Sequence, residues 1–332
     1  MKLLIIRFSS FGDIVQCLGV PHVFKQAFKE AEIHWVVRGD FADLLLAQKP
    51  IHKVWSFDRK EGLGGLLSLA KQLRAQNFTH VYDAHNNLRS HILSLFLSPA
   101  HFVRRPKNRW RRFLLFQLGR NTFSFPFVGQ RSYIEPLEAW TQMTGIPPAP
   151  QLEIPHTIHQ NLATILRPLQ PFTALAPSTA WPKKNWPIEH WKRLIQSQPL
   201  TNFVILGGAQ DPECKELANL KREGPGQTLN MAGRLSWLES CGVIEQAEAL
   251  VSADTGLLHS ADQIGKNAIA LIGPTAFGHP ARTTSRVLEV PLDCRPCTKD
   301  GRGKCHNTVY QKCMVDITPE RVATELSKAR GT

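Results

Sequence analysis

A single carboxylate, Asp13, follows the first apolar run of the chain. The run KLLIIRF leads into SSFGDI, which places two serines, a glycine and this aspartate together. An aspartate at the start of a helix caps free N–H groups, a contribution of about 1 kcal/mol. A carboxylate at a strand end that faces a substrate can instead take a proton from an acceptor hydroxyl. Both interpretations stay open, and Ser10 and Gly12 are candidate acceptor contacts beside it.

Two later segments, SADTGLLHSA and LIGPTAFG, place hydroxyls and glycines between an apolar run and a predicted helix. Free N–H groups at a helix N-terminus, together with the positive end of the helix dipole, bind phosphate. The alternative is that Asp254 only caps its helix and that the glycines only form turns. The sequence lacks the glycine-rich dinucleotide and P-loop fingerprints. The candidate diphosphate residues are Asp254, Thr255, Gly256, His259, Gly273, Pro274 and Thr275.

The segment PSTAWPKKNWP supplies two hydroxyls, Ser178 and Thr179, and two lysines in a loop too rich in proline to be helical. An ammonium group there can offset the charge that builds on a leaving group. The alternative is that a lysine here only faces solvent, which we expect of Lys183, while Lys184 stays a candidate. In the segment GGAQD and just after it, the carboxylates Asp211 and Glu213 are expected to accept from ribose hydroxyls or to cap a helix.

The chain carries 40 Lys and Arg against 27 Asp and Glu, a formal charge of +13, which favours an anionic partner. The run RRPKNRWRR holds six cations in nine residues. It is either a solvated loop or helix face or a contact for an anionic acceptor. Nucleic acid is disfavoured, because few aromatic side chains for base stacking accompany these cations. The candidate acceptor contacts are Arg104, Arg105, Lys107 and Arg109.

Four of the seven cysteines cluster near the C-terminus in the spacing C-x2-C-x7-C-x7-C. Four thiolates, two of them in a C-x-x-C pair, can close a tetrahedral zinc or iron site. Such a site would be structural, because four protein ligands leave no open position for catalysis. Reduced thiols and a disulfide are the open alternatives. The residues concerned are Cys294, Cys297, Cys305 and Cys313.

Short apolar runs alternate with amphipathic stretches along both halves, which predicts parallel βαβ units and an α/β fold. The proline-rich segment 145–155 predicts a hinge, with domains at 1–150 and 151–332. Predicted helices include 14–30 and 63–76. No apolar stretch approaches the roughly 20 residues that span a bilayer, and no secretory signal is evident, so the cytoplasm is expected. Ligands bind beyond the carboxyl ends of strands in such sheets, where all the polar segments above fall.

SSFGDIV, KKNWP after APST, SADTGLLHSAD and GPT, in this order, resemble the lipopolysaccharide heptosyltransferases, glycosyltransferase family nine. Within this family, the sequence most resembles the second-heptose branch, which has similar cysteines. The resemblance implies the GT-B architecture, two Rossmann-like doubly wound domains facing across a cleft, with acceptor bound by the first and donor by the second. It also implies transfer of heptose from ADP-heptose to the inner core of lipopolysaccharide, with inversion and without a catalytic cofactor.

The resemblance further implies a role for individual residues. Asp13 resembles the general base, and Lys184 resembles the lysine that stabilises the departing diphosphate. The donor-phosphate shell corresponds to Thr179, Asp254, Thr255, Gly256 and His259. Asp211 or Glu213 would contact the ribose, and Met231 would lie near the adenine.

Lipopolysaccharide as the acceptor would explain the positive charge of the chain. Its inner core carries carboxylates and phosphates, and arginine reads carboxylates well, so the basic run is expected to contact the acceptor. The enzyme is then expected to lie at the anionic cytoplasmic face of the inner membrane. The alternatives are a protein or another glycan as acceptor, a GT-B epimerase, and a protein that binds nucleic acid or an anionic surface.

Overall fold

The computed structural model describes residues 1–275 and 277–331. The chain divides into two compact units, each built from two segments. The first unit comprises Met1–Asn108 and Gln130–Glu153. The second comprises Arg109–Gly129 and the chain from Ile154 onward. The expected first domain, an uninterrupted 1–150, therefore differs from this division, because the segment 109–129 belongs to the second unit.

The strands occupy short apolar runs. They are β1 Lys2–Ile6, β2 Glu32–Arg38, β3 Lys53–Phe57, β4 His80–Asp83, β5 His101–Arg104, β6 Phe172–Ala176, β7 Asn202–Ile205, β8 Thr228–Asn230, β9 Ala249–Ala253, β10 Ala268–Leu271 and β11 Ser285–Leu288.

The helices occupy most of the amphipathic stretches between the strands. They are α1 Phe11–Cys17, α2 Gly19–Ala27, α3 Ala42–Leu46, α4 Gly62–Arg74, α5 Leu88–Leu95, α6 Arg109–Leu118, α7 Arg131–Ile134, α8 Glu138–Thr141, α9 His156–Leu166, α10 Ile188–Gln196, α11 Pro212–Ala218, α12 Trp237–Gln246, α13 Gly256–Ile264, α14 Lys312–Val315 and α15 Pro319–Ala329. Single 3-10 turns cover Gly39–Phe41, Arg59–Glu61, Glu135–Leu137, Arg167–Leu169 and Pro182–Lys184.

The first unit is a five-stranded parallel sheet in the order β3-β2-β1-β4-β5. The central strand β1 is flanked on both sides, with Ile5 in register with Trp35 and Tyr82. All three side chains are fully buried. A run of apolar residues without alternation is what a strand covered on both faces requires.

The second unit is a six-stranded parallel sheet in the order β11-β10-β9-β6-β7-β8. Its core includes Trp186 and Trp191, whose rings meet edge to face at 4.9 Å. The indole Nε1 of Trp186 donates to the carbonyl of Ile317 at 2.7 Å. This bond ties the loop before α10 to the C-terminal part of the chain.

The segment 109–129 joins the second unit through aromatic packing. Phe277 lies at the centre of this cluster, with ring centroids 5.9 Å from Phe116, 5.2 Å from Phe123 and 5.2 Å from Phe127. Val128 also forms a parallel bridge with His279. Apolar contact of this kind explains why a piece of the N-terminal half is part of the second unit.

The predicted helix 14–30 is broken into α1 and α2. Pro21 lies in the first turn of α2. A proline has no N–H with which to reach the carbonyl four residues earlier, here that of Cys17, so one helix cannot run through this point. In the part of the chain that the structure describes, every helix is too short or too polar to span a bilayer.

Candidate functional site

Asp13 is the third residue of α1, and Ser10 is the N-cap. The capping interpretation assumed that Asp13 itself is the N-cap, and this is not so because Ser10 holds that position. Ser10 Oγ donates to Asp13 Oδ2 at 2.8 Å, and the backbone N–H of Ser10 donates to the same oxygen at 3.4 Å. This is the acidic half of a capping box. Gly12 lies between these residues within α1.

Two further side chains hold the Asp13 carboxylate. Arg7 Nη2 lies 2.6 Å from Oδ2, and the Tyr133 hydroxyl donates to Oδ1 at 2.7 Å. Burial would raise the pKa of Asp13, but the charge of Arg7 and the hydrogen bonds from Tyr133 and Ser10 outweigh it, so the pKa lies well below its ordinary value. The carboxylate is therefore ionised at neutral pH.

Neither Arg7 nor Tyr133 was found from the sequence. Arg7 follows β1 directly and is only 6% exposed. A buried charge needs a partner, and this signal was available in the run LLIIRF. Tyr133 lies in α7, 120 positions from Asp13, and no local pattern connects the two.

The predicted acceptor cations lie in different elements. Arg104 ends β5 and its Nε donates to the buried Asp83 at 2.7 Å. Arg105 donates to Ser132 and its guanidinium lies 3.9 Å from the centre of the Tyr133 ring. Lys107 is half-buried in the same unit.

Arg109 opens α6 and belongs to the second unit. The basic run is thus divided between a strand end, a loop and a helix. The division lies between residues 108 and 109, where the first segment of the first unit ends.

In the second unit, Asp254 follows β9 and is contacted by three polar side chains. Lys184 Nζ lies 3.2 Å from Oδ2 and also donates to the carbonyl of Asp254. Thr275 Oγ1 donates to Oδ2 at 2.8 Å, and His259 Nε2 lies 3.6 Å from Oδ1. Three predicted donor residues and the predicted catalytic lysine thus meet at one strand end.

The Asp254 carboxylate is ionised for the same reason as that of Asp13. Burial would raise its pKa, but the charge of Lys184 and the hydrogen bonds from His259 and Thr275 hold the pKa well below the ordinary value. The cap of α13 is Thr255, not Asp254, because Thr255 Oγ1 accepts from the backbone N–H of Leu258 at 3.4 Å. Gly256 is the first residue of α13.

The loop after β6 is joined to Glu213 rather than to Asp211. Ser178 Oγ donates to Glu213 Oε2 at 2.9 Å, and Asn185 Nδ2 donates to Oε1 at 2.6 Å. Asp211 instead accepts from the backbone N–H of Gly208 at 2.8 Å and so closes its own turn. Thr179 Oγ1 donates to Asn185 Oδ1 at 2.7 Å.

The expectation for Lys183 is wrong. Its side chain is buried rather than solvent-facing, with a residue exposure of 3%, and Nζ donates to the carbonyls of Arg302 and Lys304, each at 3.0 Å. Lysine buries its stem readily when carbonyls satisfy the ammonium group. Lys183 therefore anchors the cysteine-containing segment to the loop before α10.

Met231 is 4% exposed and follows β8 directly. Gly273 follows β10, where a Cβ atom would lie 2.3 Å from Met314 Sδ. Pro274 offers its carbonyl to the backbone N–H groups of Cys297 and Thr298. These predicted residues thus lie at the carboxyl ends of strands of the second sheet, but their contacts here are structural.

Similarity to known proteins identifies the family of this chain. The family model of glycosyltransferase family 9 (heptosyltransferase) matches residues 66–310. The chain belongs to this family. Lys184 and Asp254 lie within the matched range and Asp13 lies before it. Lipooligosaccharide heptosyltransferase 2 of Haemophilus ducreyi is 28% identical over 352 residues, covering 99% of both chains.

Two solved structures have the same fold as this family 9 glycosyltransferase. The glycosyl transferase family 9 protein from Veillonella parvula gives a TM-score of 0.80 at 16% identity, covering 99% of this chain and 97% of that one. The E. coli ADP-heptose lps heptosyltransferase II gives a TM-score of 0.76 at 20% identity, covering 99% and 98%. The predicted family and the fold class, two parallel α/β domains of the GT-B architecture, are confirmed.

The four clustered cysteines of this family 9 glycosyltransferase carry free thiols. Burial raises the pKa of Cys313 to about 11, with smaller effects from the other three thiols. Within residues 1–275 and 277–331, no group of three or more His, Cys, Asp or Glu side chains is arranged to hold a metal ion. The arrangement therefore does not fit the expected zinc or iron site.

Proposed function

We propose that this protein transfers heptose from ADP-heptose to the inner core of lipopolysaccharide, with inversion at the anomeric carbon. The observation that carries this proposal is the ionised Asp13 carboxylate, which is held at a strand end by Arg7 and Tyr133. Membership of family 9 and the names of the relatives support the choice of donor and acceptor.

In the proposed reaction the acceptor hydroxyl loses its proton to Asp13. The hydroxyl oxygen forms a bond to the anomeric carbon of the donor from the face opposite the diphosphate. The bond from that carbon to the diphosphate oxygen breaks, and ADP leaves with the electron pair. A general base contributes most when it is fixed within hydrogen-bond reach of the hydroxyl, and no cofactor takes part in this step.

The residues around Asp254 are proposed to bind the donor. Lys184 would exchange its contact with Asp254 for an oxygen of the diphosphate and so offset the charge of the leaving group. The N-terminus of α13 at Thr255 and Gly256 offers backbone N–H groups to the phosphates. Glu213 is the better candidate for the ribose, because Asp211 closes its own turn. Met231 is proposed to lie near the adenine.

Asp13→Asn tests the proposed base. The substitution keeps the shape of the side chain and removes the charge, so turnover should fall by about a thousandfold while ADP binding is kept. Asp43→Asn is a matched control, because Asp43 is an exposed aspartate in the first turn of α3. Initial rates with ADP-heptose and deacylated core sugar provide the measurement, and near-normal turnover of Asp13→Asn would remove Asp13 from the mechanism.

An alternative proposal keeps the same donor and reaction but changes the acceptor. A protein or another glycan would use the same donor chemistry. Incubation with labelled ADP-heptose and either deacylated core sugars or candidate proteins separates the two, since the label moves to only one class of acceptor. Labelled protein without labelled core sugar would overturn the lipopolysaccharide assignment.

We also propose that the enzyme works at the anionic cytoplasmic face of the inner membrane, with α6 as the contact. Trp110 and Phe113 are 68% and 47% exposed on this helix, and their rings stack at 5.4 Å. The helix also carries three arginines and no acidic residue. Exposed aromatics beside cations are typical of helices that lie in a lipid interface.

Co-sedimentation with vesicles tests this contact. Wild-type protein should bind phosphatidylglycerol vesicles and not phosphatidylcholine vesicles, and Trp110→Ala with Phe113→Ala should reduce binding by about tenfold. Trp237→Ala is the control, because Trp237 is a half-exposed tryptophan on another helix of the second unit. Equal binding of all variants would exclude α6.

Elemental analysis tests whether the cysteine cluster binds a structural metal. Zinc or iron at one equivalent per chain, lost in Cys297→Ser, would establish a site that the present thiol arrangement does not form. Sub-stoichiometric metal with four titratable thiols would establish reduced cysteines. Neither result bears on the catalytic step.

A further inference from the structure

The two oxygens of Asp13 are unequally occupied. Oδ2 accepts from Ser10 Oγ and the Ser10 backbone N–H and also pairs with Arg7. Oδ1 accepts from Tyr133 alone among the described residues. A carboxylate oxygen has two lone-pair directions, so Oδ1 retains one.

We propose that Arg7 and Tyr133 are positioning residues that fix the Asp13 carboxylate so that the remaining lone pair of Oδ1 receives the acceptor proton. This inference rests on the proposed function, in which Asp13 is the base. In the step itself the acceptor O–H bond breaks and its proton moves to Oδ1. The freed electron pair of the acceptor oxygen forms the new bond to the anomeric carbon as the bond from that carbon to the diphosphate oxygen breaks and ADP leaves with its electron pair.

The surrounding structure holds both positioning residues in place. Arg7 is 6% exposed and its Nη1 donates to the carbonyl of Ala84 at 2.8 Å. Tyr133 is fully buried, and the guanidinium of Arg105 lies 3.9 Å from the centre of its ring. Neither side chain can follow a displaced carboxylate without breaking these contacts. The carboxylate is therefore oriented before the acceptor binds, which lowers the entropic part of the barrier.

The titratable groups around Asp13 come from several elements. Arg7 follows β1, Arg105 follows β5, Tyr133 lies in α7 and Cys17 ends α1. His85, after β4, also interacts with Asp13 and Arg7, and burial lowers its pKa to about 4, so it is neutral at pH 7. Arg7 has the largest effect opposing burial on Asp13. Without its charge, the pKa of Asp13 rises.

Tyr133→Phe is the primary test, because it deletes one hydroxyl from a buried ring without changing the packing. We expect kcat at pH 7 to fall about tenfold with KM for both substrates changed by less than about twofold. Tyr82→Phe is the matched control, since it removes a buried hydroxyl that contacts the Tyr133 backbone rather than Asp13. Its kcat should stay within about twofold of wild type.

Arg7→Gln adds a readout that a purely structural role would not move. A base must be ionised, so activity is lost as pH falls through its pKa. Removal of the Arg7 charge should move the acidic limb of kcat upward by about two pH units or more, into the measurable range. ADP affinity and near-ultraviolet circular dichroism report whether this variant is folded.

The outcomes separate this inference from the proposed function. Normal turnover of Asp13→Asn would overturn the general-base role and this inference with it. Inactive Asp13→Asn together with wild-type kcat in Tyr133→Phe and an unshifted acidic limb in Arg7→Gln would overturn the positioning role alone. A rate loss in Tyr133→Phe matched by an equal loss in Tyr82→Phe would also overturn it, because the loss would then reflect packing.

Discussion

Replacement of Lys184 by methionine should destabilise the second unit, quite apart from its effect on catalysis. The side chains of Lys184 and Asp254 are 13% and 14% exposed, and Nζ lies 3.2 Å from Oδ2. Removal of one member of a buried pair leaves an uncompensated charge and costs about 3–5 kcal/mol. Because Thr275 and His259 still contact the carboxylate, we expect the lower end, about 3 kcal/mol.

The loss should depend on pH in a defined direction. In the wild type the pKa of Asp254 is held below its unfolded value, so its stabilising contribution is present above that unfolded value and is lost as pH falls. Without Lys184 the pKa of Asp254 rises, so the variant gains less stability than the wild type as pH rises through the unfolded value. The difference between the two proteins should therefore grow from about pH 4 to about pH 7.

The double variant Lys184→Met with Asp254→Asn completes the test. An amide carries no charge, so the second substitution should recover about 2 kcal/mol of the loss at neutral pH and remove the added pH dependence. Urea unfolding followed by circular dichroism at the two pH values measures all four proteins. Additive losses in the double variant, or a Lys184→Met loss that is the same at both pH values, would refute the buried-pair reasoning.

Two other predictions concern the donor side. In calorimetric titration, Glu213→Gln should weaken ADP binding by about tenfold and Asp211→Asn by less than about twofold. The reason is that Glu213 contacts the loop that carries Ser178, whereas Asp211 closes its own turn. The reverse order would assign the ribose contact to Asp211 instead. Gly278→Ala places a Cβ 2.3 Å from Asp254 Oδ1, so it should cost about 1–3 kcal/mol and lower turnover in thermal and kinetic assays. In Gly64→Ala the added Cβ meets nothing within 4 Å, so that variant should keep both properties.

The sheet strands were the most predictable part of the fold. The runs LLIIRF, IHWVV and HVYDA became β1, β2 and β4, because strands buried on both faces of a parallel sheet have no polar alternation. The basic run was the least predictable. Its charges suggested either a solvated loop or helix face or an acceptor contact, and in the structure Arg104 is tied to a buried carboxylate while Arg109 begins a helix of the other unit. The segment 109–129 belongs to the second unit because it packs against Phe277, and no local pattern in the sequence contains that contact.

The candidate site was partly predictable for a related reason. Asp13, Lys184 and Asp254 stand near strand ends, where topology alone places ligand-binding residues in parallel sheets. What the sequence could not provide was the partner of each group. The bond from Tyr133 to Asp13 crosses 120 positions, and Lys184 meets Asp254 across 70. Each group meets its partner only when the sheet of its own unit has folded.

The contacts of Asp13 argue that it does more than cap α1. The chain contains a second capping box of the same kind, in which Ser236 and Glu239 exchange bonds at the start of α12. Within the described residues, that glutamate forms no ion pair, and its helix begins without one. A cap is worth about 1 kcal/mol and needs no buried cation. Burying Arg7 beside Asp13 costs desolvation free energy that helix capping does not require, so a requirement for an oriented, ionised carboxylate at this strand end is the better explanation.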